Sequence, residues 1–531
     1  MALDEHLQVS VTRLGGDAIL SNQVVAASDL VASLKSTVEA VLGRSVSSLV
    51  SPCGKRLACA ASIGASGLKD GDSVTAVIFD IQPQIARTPW GETAELKADG
   101  SVVTWGWPDE NARDDAVRDQ LAGGVHSIYT TASAFAALKC DGSVVTWGSA
   151  DAGGRSEHVA ELLASEVHSI CSTRAAFAAL RCDGCVVSWG CSYAGGNSDQ
   201  VKDLLAAGVQ MIQSTRAAFA ALKLDGSVVT WGDASECHAS ETVREELSSG
   251  VRGIFSTATA FAALKVDGAV VTWGYRGGGG NSDTVREQLA GGVQRIFSTI
   301  AAFAALKADG SVITWGHIYG SDSRSVHEEL AARVLCVHSN DEAFAAIRSD
   351  GSVVTWGSAD AGGNSDAVQA QLTHDVQTIY STRAAFAALM GSGAVVTWGS
   401  PYHGGDSSSV NDQLSDGVQS LCATEASYTA FKADGSAVFW GHVEDSNTSA
   451  LLLPLRLDPL PTGRTESVAS SLTISALGLD RRRPTWGSEV SSPGPRVSER
   501  TPGHFFFMGG SPVAQRSRLG QSLFHEMVQV A

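Results

Sequence analysis

Positive charge is scarce in this chain. Its 531 residues carry 38 Lys and Arg against 56 Asp and Glu, a formal net charge of −18. Nucleic acid and anionic membrane surfaces both require clustered Lys and Arg, so neither is an expected partner. Charge of either sign is thin at 18% of residues, below the roughly 25% of ordinary globular proteins. No apolar run reaches the ~18 residues a membrane-crossing helix needs. The start, Met1-Ala2-Leu3-Asp4-Glu5-His6, lacks the basic and apolar regions of a secretion signal. The expected location is therefore cytoplasmic, and the triplet Arg481–Arg483 is the one feature pointing to the nucleus. Ten cysteines are sparse and irregularly spaced, unlike a secreted disulfide framework. Proline is absent between Pro108 and Pro401, while eight of the 13 prolines lie beyond 450. That shift marks the end of a regular region.

What the sequence has in abundance is a period. The pair Trp-Gly begins at 105, 147, 189, 231, 273, 315, 356, 398 and 440. The step is 42, except for one of 41 between Trp315 and Trp356. Phe135, Phe177, Phe219, Phe261, Phe303, Phe344 and Phe386 keep the same step, and Tyr428 follows. A fixed period of this size means a repeat architecture. Nine copies span 89–445 after a linker at 81–88. A degenerate tenth copy is expected at 446–487, with Trp486-Gly487 in frame. A Ser-, Pro- and Arg-bearing tail at 488–531 is expected to be mostly disordered.

Each unit reads as a hairpin preceded by a third strand. Asp309-Gly310 between two apolar runs predicts a two-residue turn. That register sets Leu306 opposite Ile313, Ala304 opposite Trp315 and Phe303 opposite Gly316. Both faces of the hairpin are then apolar, so it must be buried on both sides between close neighbours. After each Trp-Gly comes a variable loop and a helix signal, such as Ser282 as N-cap with Val285 and Leu289 on one face.

Residues 1–80 have another texture. Leu7–Val11 alternates, and Ala18-Ile19-Leu20 follows a glycine turn. A helix is expected to bury Leu30, Leu34, Val38 and Val41, and strands follow at Ser48-Leu49-Val50 and Ser73–Ile78. The expected fold class is mainly β with short helices: a small β-grasp domain plus a β-propeller-like repeat array, with an open β-solenoid or spiral as the alternative.

Catalytic signatures are missing. Neither His-Glu-x-x-His nor Gly-x-Ser-x-Gly occurs. Cys182-x-x-Cys185 occupies ordinary repeat positions across one hairpin turn, with no second ligand pair at finger spacing. Gly277–Gly280 lacks the Lys-Ser/Thr of a phosphate-binding loop. The reading is no enzyme, no metal and no cofactor. The candidate contact residues are instead Arg174, Arg216 and Arg383, which recur between the first two strands of three units, and Trp107 and Tyr402 in the loops after Trp-Gly. Guanidinium forks could hold a carboxylate at one rim.

The motif Ala-Leu-x-x-Asp-Gly-x-Val-x-x-Trp-Gly, recurring in eight copies over 89–441, resembles the regulator of chromosome condensation repeat. The resemblance implies a β-propeller and protein partners. It also implies two activities found with such repeats: guanine-nucleotide exchange on a small GTPase, and membership of large HECT-type ubiquitin ligases. The chain has no inserted wedge of an exchanger. About 90 residues follow the last copy, so the catalytic ligase domain is not expected. Leu49-Val50 with Gly54-Lys55-x-Leu57, and Leu68-Lys69-Asp70-Gly71-Asp72, resemble the central strand, turn and final loop of ubiquitin. This implies a fixed, non-conjugated ubiquitin-like module, because the strand runs into Phe79-Asp80-Ile81 without Gly-Gly. The expected function is a non-catalytic interaction scaffold, sharpened to a ubiquitin-pathway adaptor whose Leu49 and Val50 contact ubiquitin-receptor domains.

Overall fold

The computed structural model describes residues 6–13, 18–42, 46–53, 57, 62–78, 81, 84–106, 115–237 and 239–442. The expected tenth copy at 446–487, the tail at 488–531 and the candidate Trp107 lie outside them.

The first segment is a mixed four-stranded sheet with one helix. Its elements are β1 (His6–Arg13), β2 (Ala18–Ala26), α1 (Val31–Leu42), β3 (Val46–Val50) and β4 (Ser73–Ile78). The sheet order is β2-β1-β4-β3, with β1 and β4 parallel at the centre. This is the β-grasp arrangement. Val9 and Val11 of β1 alternate inward and meet Val31, Leu34 and Val38 of α1. The helix starts one residue later than Leu30, so Val31, Leu34 and Val38 form its buried stripe. Leu30 and Val41, expected inside, are exposed.

The second segment is a row of nine three-stranded antiparallel sheets. The first unit comprises Gln84–Arg87, Thr93–Leu96 and Val102–Trp105, and the ninth ends at Ala437–Gly441. Within each unit the chain order is the spatial order. First strands approach the first strands of the next unit, while the helical turns after Trp-Gly contact the next unit's third strand. The sheets therefore fan, narrow along the first strands and propped apart at the loops, in a propeller-like array.

The hairpin register differs from the expected one by a residue. Phe303 lies opposite Trp315, Leu306 opposite Val312 and Ala302 opposite Gly316. Lys307 N–H bonds the Ser311 carbonyl at 2.9 Å, and Gly310 N–H returns to Lys307 at 3.0 Å. Gly310 sits at φ 78°, so a three-residue loop with a left-handed glycine replaces the two-residue turn. Side-chain period is two, so the shift changes which residues share a face. Phe303, Ala305, Ile313 and Trp315 now share one face. Ala302, Ala304, Leu306, Val312 and Thr314 share the other.

This division explains the composition of the unit. The alanine face of one sheet packs on the aromatic face of the next: Ala302, Ala304 and Leu306 meet Phe344, Ala346 and Trp356. Small side chains let two sheets approach closely. The facing Phe and Trp fill the gap as a stacked pair with centroids 5.2 Å apart. Lys307 Nζ then donates to the Gln288 carbonyl, 19 residues back, at 3.0 Å. Lys139, Lys223, Lys265 and Lys432 repeat that contact. A cation there complements the carbonyl end of the preceding helical turn.

The expected helix after Ser282 is shorter than its pattern indicated. Asp283–Val285 is a single 3-10 turn, and Ser282 makes no side-chain cap. Asn281 Oδ1 accepts the Asp283 N–H instead, at 3.1 Å. An Asn side chain competing for the first free N–H favours a turn over a helix. No helix among the described residues is long and apolar enough to cross a membrane.

Candidate partner-binding surface

The loops after Trp-Gly are fixed at one end and free at the other. Trp231 Nε1 donates to the Gly195 carbonyl in the preceding unit's loop at 3.0 Å. Trp189, Trp315, Trp398 and Trp440 make the same bond to Gly153, Gly279, Gly362 and Gly404. Each of these glycines is left-handed, with φ between 86° and 101°. In each, a Cβ would come within 2.8 Å of the next unit's Phe or Tyr ring. Glycine is required there on both counts.

Among the described residues two loops break the pattern, and their tryptophans record it. The loop facing Trp273 is an α-helical turn, Ala234–Cys237, and that facing Trp356 is Ile318–Ser321. Neither presents the glycine carbonyl, and Trp273 Nε1 and Trp356 Nε1 have no partner among the described residues.

A second anchor is a threonine that sequence reasoning missed. Thr173 is buried; its Oγ1 accepts the Ala176 N–H at 3.0 Å and donates to the Ala194 carbonyl in the loop at 2.9 Å. Thr131, Thr257 and Thr382 repeat both bonds, and Asn340 substitutes its amide for the hydroxyl. The signal was available, since a threonine stands at 131, 173, 215, 257 and 299 with the step of 42. Thr215 departs instructively. It bonds Glu236 Oε2 at 2.7 Å, and the Ala217 N–H donates to the same oxygen at 2.9 Å. Burial pushes the Glu236 carboxyl above its ordinary range, partly opposed by these two bonds.

What the anchored loops present outward varies. Tyr402 is 79% exposed. Tyr193 and Tyr319 occupy the same place, four residues after their tryptophans, and are exposed too, as is Tyr275 nearby. Sequence reasoning found Tyr402 but not the other three.

The three arginines lie along one backbone ladder. Ala132 N–H bonds the Arg174 carbonyl, and the pattern continues through Arg216, Ala258, Ile300, Asp341 and Arg383 to Glu425 in seven bonds of 2.7–3.2 Å. Ala258, Ile300 and Asp341 separate Arg383 from Arg216, so the three guanidinium groups do not form the expected single site. Arg383 Nε instead donates to Asp341 Oδ2 at 3.1 Å. Arg216 lies within electrostatic reach of Glu236 and favours its charged form. Arg174 lines a 360 Å³ cleft with Pro89, Trp90, Ala132, Ser133 and Ala175, and Trp90 is exposed.

In the β-grasp domain the paired candidates part company. Leu49 is 1% exposed and belongs to the core beneath α1, so it is corrected from contact residue to core residue. Val50 follows it on β3 and takes the opposite, outer face, where it is half-buried and paired with Thr75. Adjacent strand residues cannot share a face.

One thiol–imidazole pair favours its neutral forms. Cys336 Sγ lies 3.4 Å from His338 Nε2. Burial raises the Cys336 thiol and pulls the His338 imidazole down to about 4. A neutral thiol beside a neutral imidazole is the opposite of an activated nucleophile. Cys185 takes a serine's place in its turn, its N–H donating to Asp183 Oδ1 at 2.9 Å. Among the described residues no group of three or more His, Cys, Asp or Glu is placed to hold a metal.

No family model matches the chain, and no curated relative is found. Solved structures do resemble it. The ectodomain of the Physcomitrella patens receptor kinase CR4 is 14% identical, with 50% of this chain and 69% of that chain covered, at a TM-score of 0.28. Prp20p from Saccharomyces cerevisiae, described with its binding to Gsp1p and histones, is 17% identical over 53% of this chain and 83% of that chain, at 0.31. Yeast RCC1 (Prp20) bound to Kap60 is 15% identical over 52% and 79%, also at 0.31.

Proposed function

We propose that this chain is a non-catalytic protein-interaction scaffold. Its array would read protein partners through the residues that follow each Trp-Gly. One observation carries the reading: Tyr193 and Tyr402 stand exposed on loops clamped to the sheets beneath them, and Tyr319 stands exposed at the same repeat position. Tyrosine gives large amphipathic contact area at low entropic cost, and a rigid base lowers that cost further. A constant frame carrying changeable residues at one rim is how repeat arrays build binding surfaces.

The sharper version is a ubiquitin-pathway adaptor. Its support is the β-grasp order of the first sheet and the outward position of Val50. The test is a calorimetric titration of the full chain with ubiquitin-receptor domains. Binding that is weakened by Val50→Arg supports the adaptor role. No binding to any such domain removes that role and leaves the scaffold reading to the loops. The loops are tested by site-specific photocrosslinkers at 193, 319 and 402. Crosslinks to other proteins at none of the three would sink the scaffold reading.

A further inference from the structure

We propose that the two end faces of the array join copies of this chain head to tail, the ninth unit of one copy receiving the first unit of a second. The unit–unit interface is the established one, and among the described residues neither end face meets a further sheet. Inside the array the trailing face of each sheet offers two alanines and a Leu or Ile. The leading face of the next offers an aromatic pair, an alanine and a valine. All of these are buried.

The first unit has a leading face with no preceding unit among the described residues. Ile85, Val103 and Trp105 hold the positions of Ile128, Val145 and Trp147 by strand pairing. Trp105 is 40% exposed against 6% for Trp147, and Ile85 and Val103 are exposed as well. Terminal repeats that cap an array normally turn a polar face outward. This one does not, and an exposed apolar patch of this kind marks an interaction site.

The ninth unit has the matching trailing face. Ser427, Thr429 and Phe431 stand where Ala385, Ala387 and Leu389 are covered by the ninth sheet itself. Phe431 and Phe439 are half-buried and Ala437 is exposed. The substitutions at the two ends compensate. The first unit has Thr93 where the other units have Phe or Tyr, which removes a ring. The ninth adds rings at Phe431 and Phe439, where its neighbour has Leu389 and Thr397. Glu95 brings an acceptor to one face and Thr429 a hydroxyl donor to the other, both at positions that are alanine inside. The backbone ladder stops in the same way. Each N–H from Ala132 to Arg383 reaches the next unit, while the Glu425 N–H has no partner among the described residues. A contact between unlike faces does not close on two copies and leads to an open chain of protomers.

The experiment is the mass of the full chain by light scattering across a concentration series. Two variants at exposed positions accompany it: Val103→Arg on the leading face and Ala437→Arg on the trailing face. The expected result is a mass that rises with concentration for the wild type and stays at one copy for each variant alone. An equimolar mixture should give twice the monomer mass and go no further, because each variant keeps one intact face. Three results would overturn the proposal: a wild type that stays monomeric throughout, variants that still associate, or a mixture that remains monomeric. A chain ending at residue 442 that associates where the full chain does not would assign the ninth face to the chain's own later residues, and also overturns it.

Discussion

The indole N–H of Trp231 donates to the carbonyl of Gly195, 36 residues earlier and one unit away, at 3.0 Å. This bond, made by five of the tryptophans, joins a loop to the following sheet, so the frame and the recognition surface share their stability. The loop is held by a glycine that nothing larger can replace.

Gly195→Ala should therefore destabilise the chain. The new Cβ would sit 2.6 Å from the Phe219 ring, at φ 92°. Strain at such a φ is about 1–3 kcal/mol, and overpacking adds about 1–3 kcal/mol. Gly291→Ala, whose Cβ meets nothing closer than 3.9 Å, should change stability by less than ~1 kcal/mol. Urea denaturation of the full chain checks both, and equal effects would contradict the anchoring role of Gly195.

Thr173→Val keeps the shape of the side chain and removes its hydroxyl. It leaves the Ala176 N–H and Ala194 carbonyl without their buried partner, at a cost of about 1–3 kcal/mol. Thr173→Ser should recover most of that loss. A valine variant as stable as wild type in thermal unfolding would show that the threonine column is dispensable.

Two sets of carboxylates give opposite pH dependence. Ser311 N–H and Oγ donate to Asp309 Oδ1 at 2.9 and 2.6 Å. These bonds hold the Asp309 carboxyl below its ordinary value of 3.8, as in the turns at Asp99, Asp225, Asp350 and Asp434. A depressed folded-state value stabilises above the unfolded value and is lost as pH falls through the folded one. The array should thus weaken below about pH 3.8. Asp309→Asn with Asp225→Asn should flatten that limb of the stability–pH curve.

Glu236 works the other way. Burial raises its value above 4.5, so its favourable contribution is present below 4.5 and is lost as pH rises through the raised value. Glu236→Gln should remove a decline in stability as pH rises above 4.5. An unchanged decline in denaturation curves collected across that range would assign it to another group.

Thiol labelling should follow exposure. Cys182 is exposed, whereas Cys140 is buried and burial raises the Cys336 thiol. Iodoacetamide is expected to modify Cys182 in the native protein and to reach Cys140 and Cys336 only after denaturation. Rapid native labelling of Cys336, mapped by mass spectrometry, would contradict its packing.

The sequence by itself determined the period, the unit and the β class. Each of these depends on residues close together in the chain, or on a count. Tertiary structure decided the rest. One left-handed glycine, Gly310, moved the hairpin register by a residue and set Phe303 against Trp315. That choice depends on how two sheet faces are buried, not on the Asp-Gly dipeptide alone. Packing beneath α1 sent Leu49 inward and left Val50 on the outer face. The three arginines looked equivalent at equal repeat positions, yet Asp341 takes Arg383 and Glu236 draws Arg216. These partners sit 42 and 20 residues away in the chain. Asp341 meets Arg383 because units stack, and Glu236 nears Arg216 because the loop after Trp231 folds back on its own sheet, so no local pattern of residues could announce them.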